Sequence, residues 1–131
     1  MRIMLDSNVL VSYIVFDSSF TSNVVIIHNH TILLTEYILH ETEIVISKKF
    51  PHRFVLIQEK ISKLEYLLFN KCNFKKETKP YIRDLKDLPI LLDAINSQSD
   101  ILLTGDKDFS QITLQDVRIL TPRQYNDEFV V

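Results

Sequence analysis

The chain is punctuated by four short apolar runs, residues 2–5, 31–34, 100–104 and 117–120, each of which halts at a polar residue. Runs of this length, closed by turn-forming or charged residues, have the pattern of strands buried on both faces. Between them, apolar residues recur at helical spacing. Thr35 is placed to cap a helix whose one face carries Ile38, Leu39, Thr42, Val45 and Ile46, the i, i+3, i+4 pattern of an amphipathic helix. Ser22 or Asn23 can cap a short helix over 24–28, and residues 54–69 repeat the period through Ile57, Ile61, Leu64 and Leu68. Asp87 caps a further helix, with Pro89 in its first turn and Leu88, Leu91, Leu92 and Ile95 as its buried stripe, and Pro122 opens the last one. Strands alternating with helices predict an α/β fold, a three-layer sandwich around a central, mostly parallel sheet. No repeat, low-complexity tract or Gly/Ser linker interrupts the pattern, so residues 1–131 are expected to form one domain. Sites in such sheets form outside the carboxyl ends of the strands, near the point where strand order reverses.

The chain holds a single glycine, Gly105. Phosphate-cradling loops and the dinucleotide fingerprint need at least two glycines at fixed spacing, so both are excluded. Hydrophobic residues make up 46% and charged residues 24%, enough for a core of ordinary size. The formal net charge of -2 argues against a generally basic nucleic-acid binder, so a nucleic-acid partner needs a local positive site. A lone Cys72 cannot form an internal disulfide or a CxxC metal site, which makes the reducing cytoplasm the expected compartment. The opening Met1-Arg2-Ile3-Met4-Leu5-Asp6 is too short an apolar stretch for a signal peptide. No apolar run approaches the roughly 18 residues of a spanning helix, and no membrane association is expected.

Chemistry is suggested by carboxylates at strand ends. The run Ile3-Met4-Leu5 leads into Asp6, and Ile101-Leu102-Leu103-Thr104-Gly105 leads into Asp106. If both strands are central and parallel, both acids project from one sheet edge. Either one alone has the ordinary explanation of a turn or helix cap, and so does Asp87. Glu41 is stranger: its neighbours at -3, +3 and +4 are Ile38, Ile44 and Val45, whereas Glu43 sits on the solvated side. No Lys or Arg occurs between Arg2 and Lys48 to partner it. Four acids at one edge repel one another, and hard divalent cations resolve the repulsion, since Mg²⁺ or Mn²⁺ takes carboxylate oxygens and stays open to phosphate. An all-oxygen cluster therefore favours phosphoryl chemistry over zinc chemistry.

In these residues the chain resembles the PIN-domain family, the metal-dependent ribonucleases that include VapC-type toxins of toxin–antitoxin systems. Leu5-Asp6-Ser7-Asn8-Val9-Leu10 is similar to the family's opening D-[ST]-N-V-L stretch. The run Thr35-Glu36-Tyr37-Ile38-Leu39-His40-Glu41, followed by Lys49-Phe50-Pro51, resembles the helix that supplies the second acid. Arg83-Asp84-Leu85-Lys86-Asp87-Leu88-Pro89 is similar to an R-D-x-x-D-x-P segment, and Leu103-Thr104-Gly105-Asp106-Lys107-Asp108 to T-G-D-x-D. The resemblance implies an endoribonuclease using one or two Mg²⁺ or Mn²⁺ ions held by Asp6, Glu41, Asp87 and Asp106. In-line attack of an activated water would break the phosphodiester. Asn8, Asp84, Thr104 and Asp108 become auxiliary residues. The resemblance also implies an antitoxin partner and a homodimer. Lys75, Lys76, Lys79 and Arg83, within a basic stretch that also holds Lys71 and Lys86, could track the RNA backbone.

Other features carry less. His28-Asn29-His30 reads as a surface turn; Cys72 reads as a small buried residue, and Phe54, Tyr66, Phe69 and Phe74 read as core. Asp93 falls opposite the stripe of its helix and reads as solvated. Gly105 is expected to ease a sharp exit of the chain toward Asp106, so that Gly105→Val would impair metal binding more than folding. Three rival readings remain: a PIN fold that binds RNA or protein without cleaving, a haloacid dehalogenase-type phosphatase, and a receiver domain. The phosphatase needs a general acid two residues after the first Asp, where this chain has Asn8. The receiver needs a phosphoacceptor Asp at the end of a middle strand.

Overall fold

The computed structural model describes residues 1–16, 30–69, 88–109 and 112–129. The first strand, β1 (Arg2–Leu5), ends at Asp6, which caps helix α1 (Ser7–Val11), continued as a π-helical segment over Ser12–Phe16. Strand β2 (Thr31–Thr35) passes directly into α2 (Glu36–Lys49). Here Thr35 has extended backbone and its side chain accepts the Ile38 N–H at 3.1 Å, as expected of an N-cap. A short turn over Pro51–Arg53 leads to α3 (Leu56–Lys63), then β3 (Tyr66–Phe69), α4 (Leu88–Asn96), β4 (Ile101–Leu103), β5 (Arg118–Leu120) and α5 (Pro122–Phe129).

All strand pairings are parallel, in the order β3-β2-β1-β4-β5. The three central strands are fully apolar in the middle, with Ile3, Met4, Leu33, Leu34, Leu102 and Leu103 buried, as a sheet covered on both faces requires. Because β1 lies between β2 and β4, strand order reverses there. The register sets Leu5 beside Leu103, so Asp6 and Thr104 leave the sheet side by side at the reversal point. The Asp6 N–H donates to the Leu103 carbonyl at 2.9 Å, carrying the ladder one step past the strand.

Three expectations change. The stretch 54–69 is not one helix, for α3 stops at Lys63, Leu64 turns to extended backbone and β3 follows as an edge strand. Phe54 is exposed and Tyr66 and Phe69 are half-buried on that strand. Asp93 is buried, 4% exposed. Its helix α4 has no solvated side over residues 90–94, because Ile90, Leu91, Leu92 and Ala94 are buried as well. The expected helix over 24–28, the Asp87 cap, Cys72, Phe74, His28 and Asn29 lie outside the described residues. Among the described residues no helix is long and apolar enough to cross a membrane.

Candidate functional site

At the reversal point Asp6 is 3% exposed, and the site is assembled around its carboxylate. Oδ1 accepts the Ser7 N–H at 2.7 Å, while Oδ2 accepts the Thr104 hydroxyl at 2.7 Å and the Asn8 amide at 3.4 Å. Thr104 Oγ1 in turn accepts the Asp106 N–H at 3.1 Å, so one hydroxyl ties the first acid to the backbone of another. Asn8 links the two strand exits from the other side: its Oδ1 accepts the Gly105 N–H at 3.0 Å. Asp106 Oδ1 accepts the Asp108 N–H at 2.9 Å, which closes the turn after β4; the Asp108 side chain itself is exposed. Glu41, half-buried on α2, accepts the Ser7 hydroxyl at 2.8 Å.

Asp6, Glu41 and Asp106 line one cavity of about 300 Å³ together with Ser7, Asn8, Val11, Val45, Lys49 and Phe50. Burial pushes the Asp6 carboxyl above its ordinary range, and the charges of Glu41 and Asp106 push it the same way, against the hydrogen bonds from Thr104 and Ser7. A buried carboxylate made uncomfortable by two neighbouring acids fits a hard cation, and every donor present is an oxygen. Among the described residues no three such side chains converge closely enough to hold an ion by themselves. Asp87 and Asp84 lie outside the described residues, as do Lys71, Lys75, Lys76, Lys79, Arg83 and Lys86.

Two features depart from the sequence reading. Gly105 has no positive φ, and a Cβ there would meet only the Asn8 amide, with Oδ1 at 3.7 Å, an ordinary contact. The turn toward Asp106 is held by hydrogen bonds and does not require a glycine. Ser7 and Lys49, which no motif singled out as functional, both face the acids' cavity. The spacing on α2 could have found Lys49, because Glu41, Val45 and Lys49 follow at i, i+4 and i+8 on one face.

A larger groove of about 740 Å³ lies between α2, α3 and β3, lined mainly by apolar side chains such as Leu39, Ile57, Ile61 and Leu64. Its one acid is Glu43, so volume alone does not mark the chemistry. His30 lies with Nδ1 at 3.3 Å from the Met1 amino nitrogen and its ring against Tyr125, far from the acids in role. The Asn8 carboxamide has no acidic proton to give, so it cannot stand in for a phosphatase's general acid; it bonds Gly105, Asp6 and Thr104 instead.

The PIN domain family model matches residues 2–108. No curated protein matches the chain. Among solved structures, that of VapBC2 from Rickettsia felis bound to a DNA fragment from its promoter is 25% identical with a TM-score of 0.69, covering 91% of this chain and 98% of that one. That of VapBC-1 from nontypeable Haemophilus influenzae is similar in fold at 17% identity, with a TM-score of 0.62 over 94% of this chain and 99% of that one. With the family model spanning residues 2–108 and a parallel α/β fold shared with these assemblies, the chain belongs to the PIN-domain family.

Proposed function

We propose that the protein is a divalent-metal-dependent endoribonuclease acting as the toxin of a toxin–antitoxin pair. The observation that carries this reading is the gathering of Asp6, Glu41 and Asp106 around one cavity where strand order reverses. Asp6, Glu41, Asp106 and Asp87 would hold one or two Mg²⁺ or Mn²⁺ ions. Such an ion, when bound, supplies Lewis acidity and neutralises phosphodiester charge.

The chain's own residues prepare that place. The Thr104 hydroxyl and the Ser7 N–H fix both oxygens of Asp6, leaving its remaining lone pairs for a cation. The Ser7 hydroxyl orients Glu41, and the Asp108 N–H orients Asp106. Asn8 keeps the exits of β1 and β4 in register. In this reading Asp84 and the Asp108 carboxylate are auxiliary, and Lys75, Lys76, Lys79 and Arg83 follow the RNA backbone. The VapBC neighbours support an antitoxin as partner. A homodimer working in the cytoplasm is the expected form.

Expression in bacteria tests the proposal. Wild type should arrest growth and Asp6→Asn should not, with both proteins present at equal level on an immunoblot. Equal toxicity would remove Asp6 from the chemistry and the nuclease reading with it.

A further inference from the structure

The sheet ends differently on its two sides. At one edge β5 opens with Arg118, an exposed charge whose guanidinium is held by both oxygens of Glu128 at 2.6 Å. At the other edge β3 pairs with β2 in unbroken register, and its residues Tyr66-Leu67-Leu68-Phe69 include no charge and no proline. Leu67 is 52% exposed and Leu68 47%, one on each face of the strand. A single exposed leucine is ordinary. Two in succession on an uncharged edge are not, because the outward N–H and C=O groups of an edge strand are a template for another strand and are commonly guarded by charges, prolines or bulges. Among the described residues no strand lies beyond β3.

A second copy of the chain fits this edge by symmetry. Two copies of one strand lying antiparallel in one sheet are related by a two-fold axis normal to the sheet, which keeps every side chain on its own face. Opposed residues must therefore share a face, so the axis passes through a residue and not between two. Axes through Leu67 and Leu68 pair the most of β3. The first sets Glu65 against the partner's Phe69, a charge against a half-buried ring. The second sets Leu68 against the partner's Leu68 and Leu67 against the partner's Phe69, so both exposed leucines gain apolar neighbours. Charge agrees with the second: in the sequence Glu65 stands three residues before Leu68 and Lys71 three after it, a pattern that is self-complementary about Leu68. Leu68 also shares the face of Tyr66, which lines the groove of about 740 Å³, so the two grooves come to lie on one side of the joined sheets.

We infer that β3 is a self-association edge, on which a second copy of the chain adds its own β3 antiparallel about a two-fold axis at Leu68 and joins the two sheets into one. The interface is separate from the acid cavity and does not rest on the nuclease reading. One short strand pair covers less than the roughly 1,200 Å² of a standard interface, so the dimer depends on concentration.

Sedimentation velocity of the full chain over a range of concentrations tests this. Wild type should move from monomer toward dimer as concentration rises. Leu68→Lys sets two lysines face to face and should weaken dimerisation about ten-fold or more. Ile44→Lys, the same change at an exposed residue of α2, should leave it unchanged. Thermal melts of each variant distinguish a lost contact from a lost fold. Register is read by oxidative cross-linking in a Cys72→Ser background. Opposed residues of an antiparallel pair have Cα atoms about 4.5–5.5 Å apart, within disulfide reach, so Leu68→Cys should link to its copy. Leu67→Cys should not, because its copy lies on the diagonal, about 7–8 Å away. The inference is overturned if wild type stays monomeric at every concentration, which leaves the edge to another protein's strand, or if folded Leu68→Lys dimerises like wild type. Failure of Leu68→Cys to link, or linking by Leu67→Cys in its place, overturns it equally. None of these outcomes bears on metal-dependent cleavage by wild type, by which the nuclease reading stands or falls.

Discussion

Thr104 has one hydroxyl and three neighbours competing for it. It donates to Asp6 and accepts from the Asp106 N–H and the Asn8 amide, so removing it leaves a buried carboxylate oxygen and a backbone donor short of partners. Thr104→Val should cost about 1–3 kcal/mol in urea unfolding and lower cleavage about 10–100-fold, the usual penalty for losing a group that orients metal ligands. Thr104→Ser, which keeps the hydroxyl, should recover most of both. Gly105 makes the opposite prediction. Its φ is one any residue adopts and its added Cβ has room, so Gly105→Ala should change stability by about 0.5 kcal/mol or less and leave cleavage near wild type. A large loss of cleavage with stability unchanged would instead support a need for glycine at the exit toward Asp106, and a large loss of stability would contradict the room found for the Cβ. The T-G-D letters mark the place, but the hydrogen bonds decide which letter matters.

Among the elements, β2 and α2 are joined without a loop, and Thr35 is both the last residue of one and the cap of the other. The cap starts the helix that carries Glu41 six residues on. Thr35→Ala should therefore cost about 1 kcal/mol and reduce cleavage by misplacing Glu41; Thr35→Ser should spare both. Thr35 was legible as a cap because a Ser or Thr before an apolar-periodic run has few other uses. The strands were legible too, since buried parallel strands leave continuous apolar runs. What failed did so for identifiable reasons. Ile61, Leu64 and Leu68 happen to keep helical spacing across a helix end, so β3 was hidden inside an apparent helix; an edge strand half open to solvent carries no clean alternation to reveal it. Asp93 departs from the stripe pattern because an amphipathic stripe presumes one wet face, and α4 has none over residues 90–94. Lys49 is legible only through its i+8 spacing from Glu41, because a lysine in the last turn of a helix already has an ordinary role beside the helix dipole.

At the level of the whole molecule, the order β3-β2-β1-β4-β5 brings residues 6 and 104 together across almost the full chain, and no local pattern contains that fact. The same arrangement concentrates negative charge, and its pH behaviour follows. The folded-state pKa of Asp6 is raised, chiefly by burial. Its contribution to stability is therefore fully present below the ordinary value of 3.8 and is lost as pH rises through the raised one. A divalent ion needs the carboxylate, so the thermal shift given by Mn²⁺ should grow through the same window. With Mn²⁺ at 100 times its Kd the gain is about 2.7 kcal/mol, absent in Asp6→Asn. An equal shift in that variant would move the ion elsewhere.

Whether these acids cut RNA comes down to one measurement. Purified wild type and Asp6→Asn, both shown to melt cooperatively, are incubated with structured RNA in Mn²⁺ and in EDTA, and the products are resolved on a sequencing gel. Wild type should give discrete internal cleavage in Mn²⁺ only, lost in EDTA and in Asp6→Asn. Identical product patterns from the two proteins, or no cleavage by folded wild type in Mn²⁺, would contradict it.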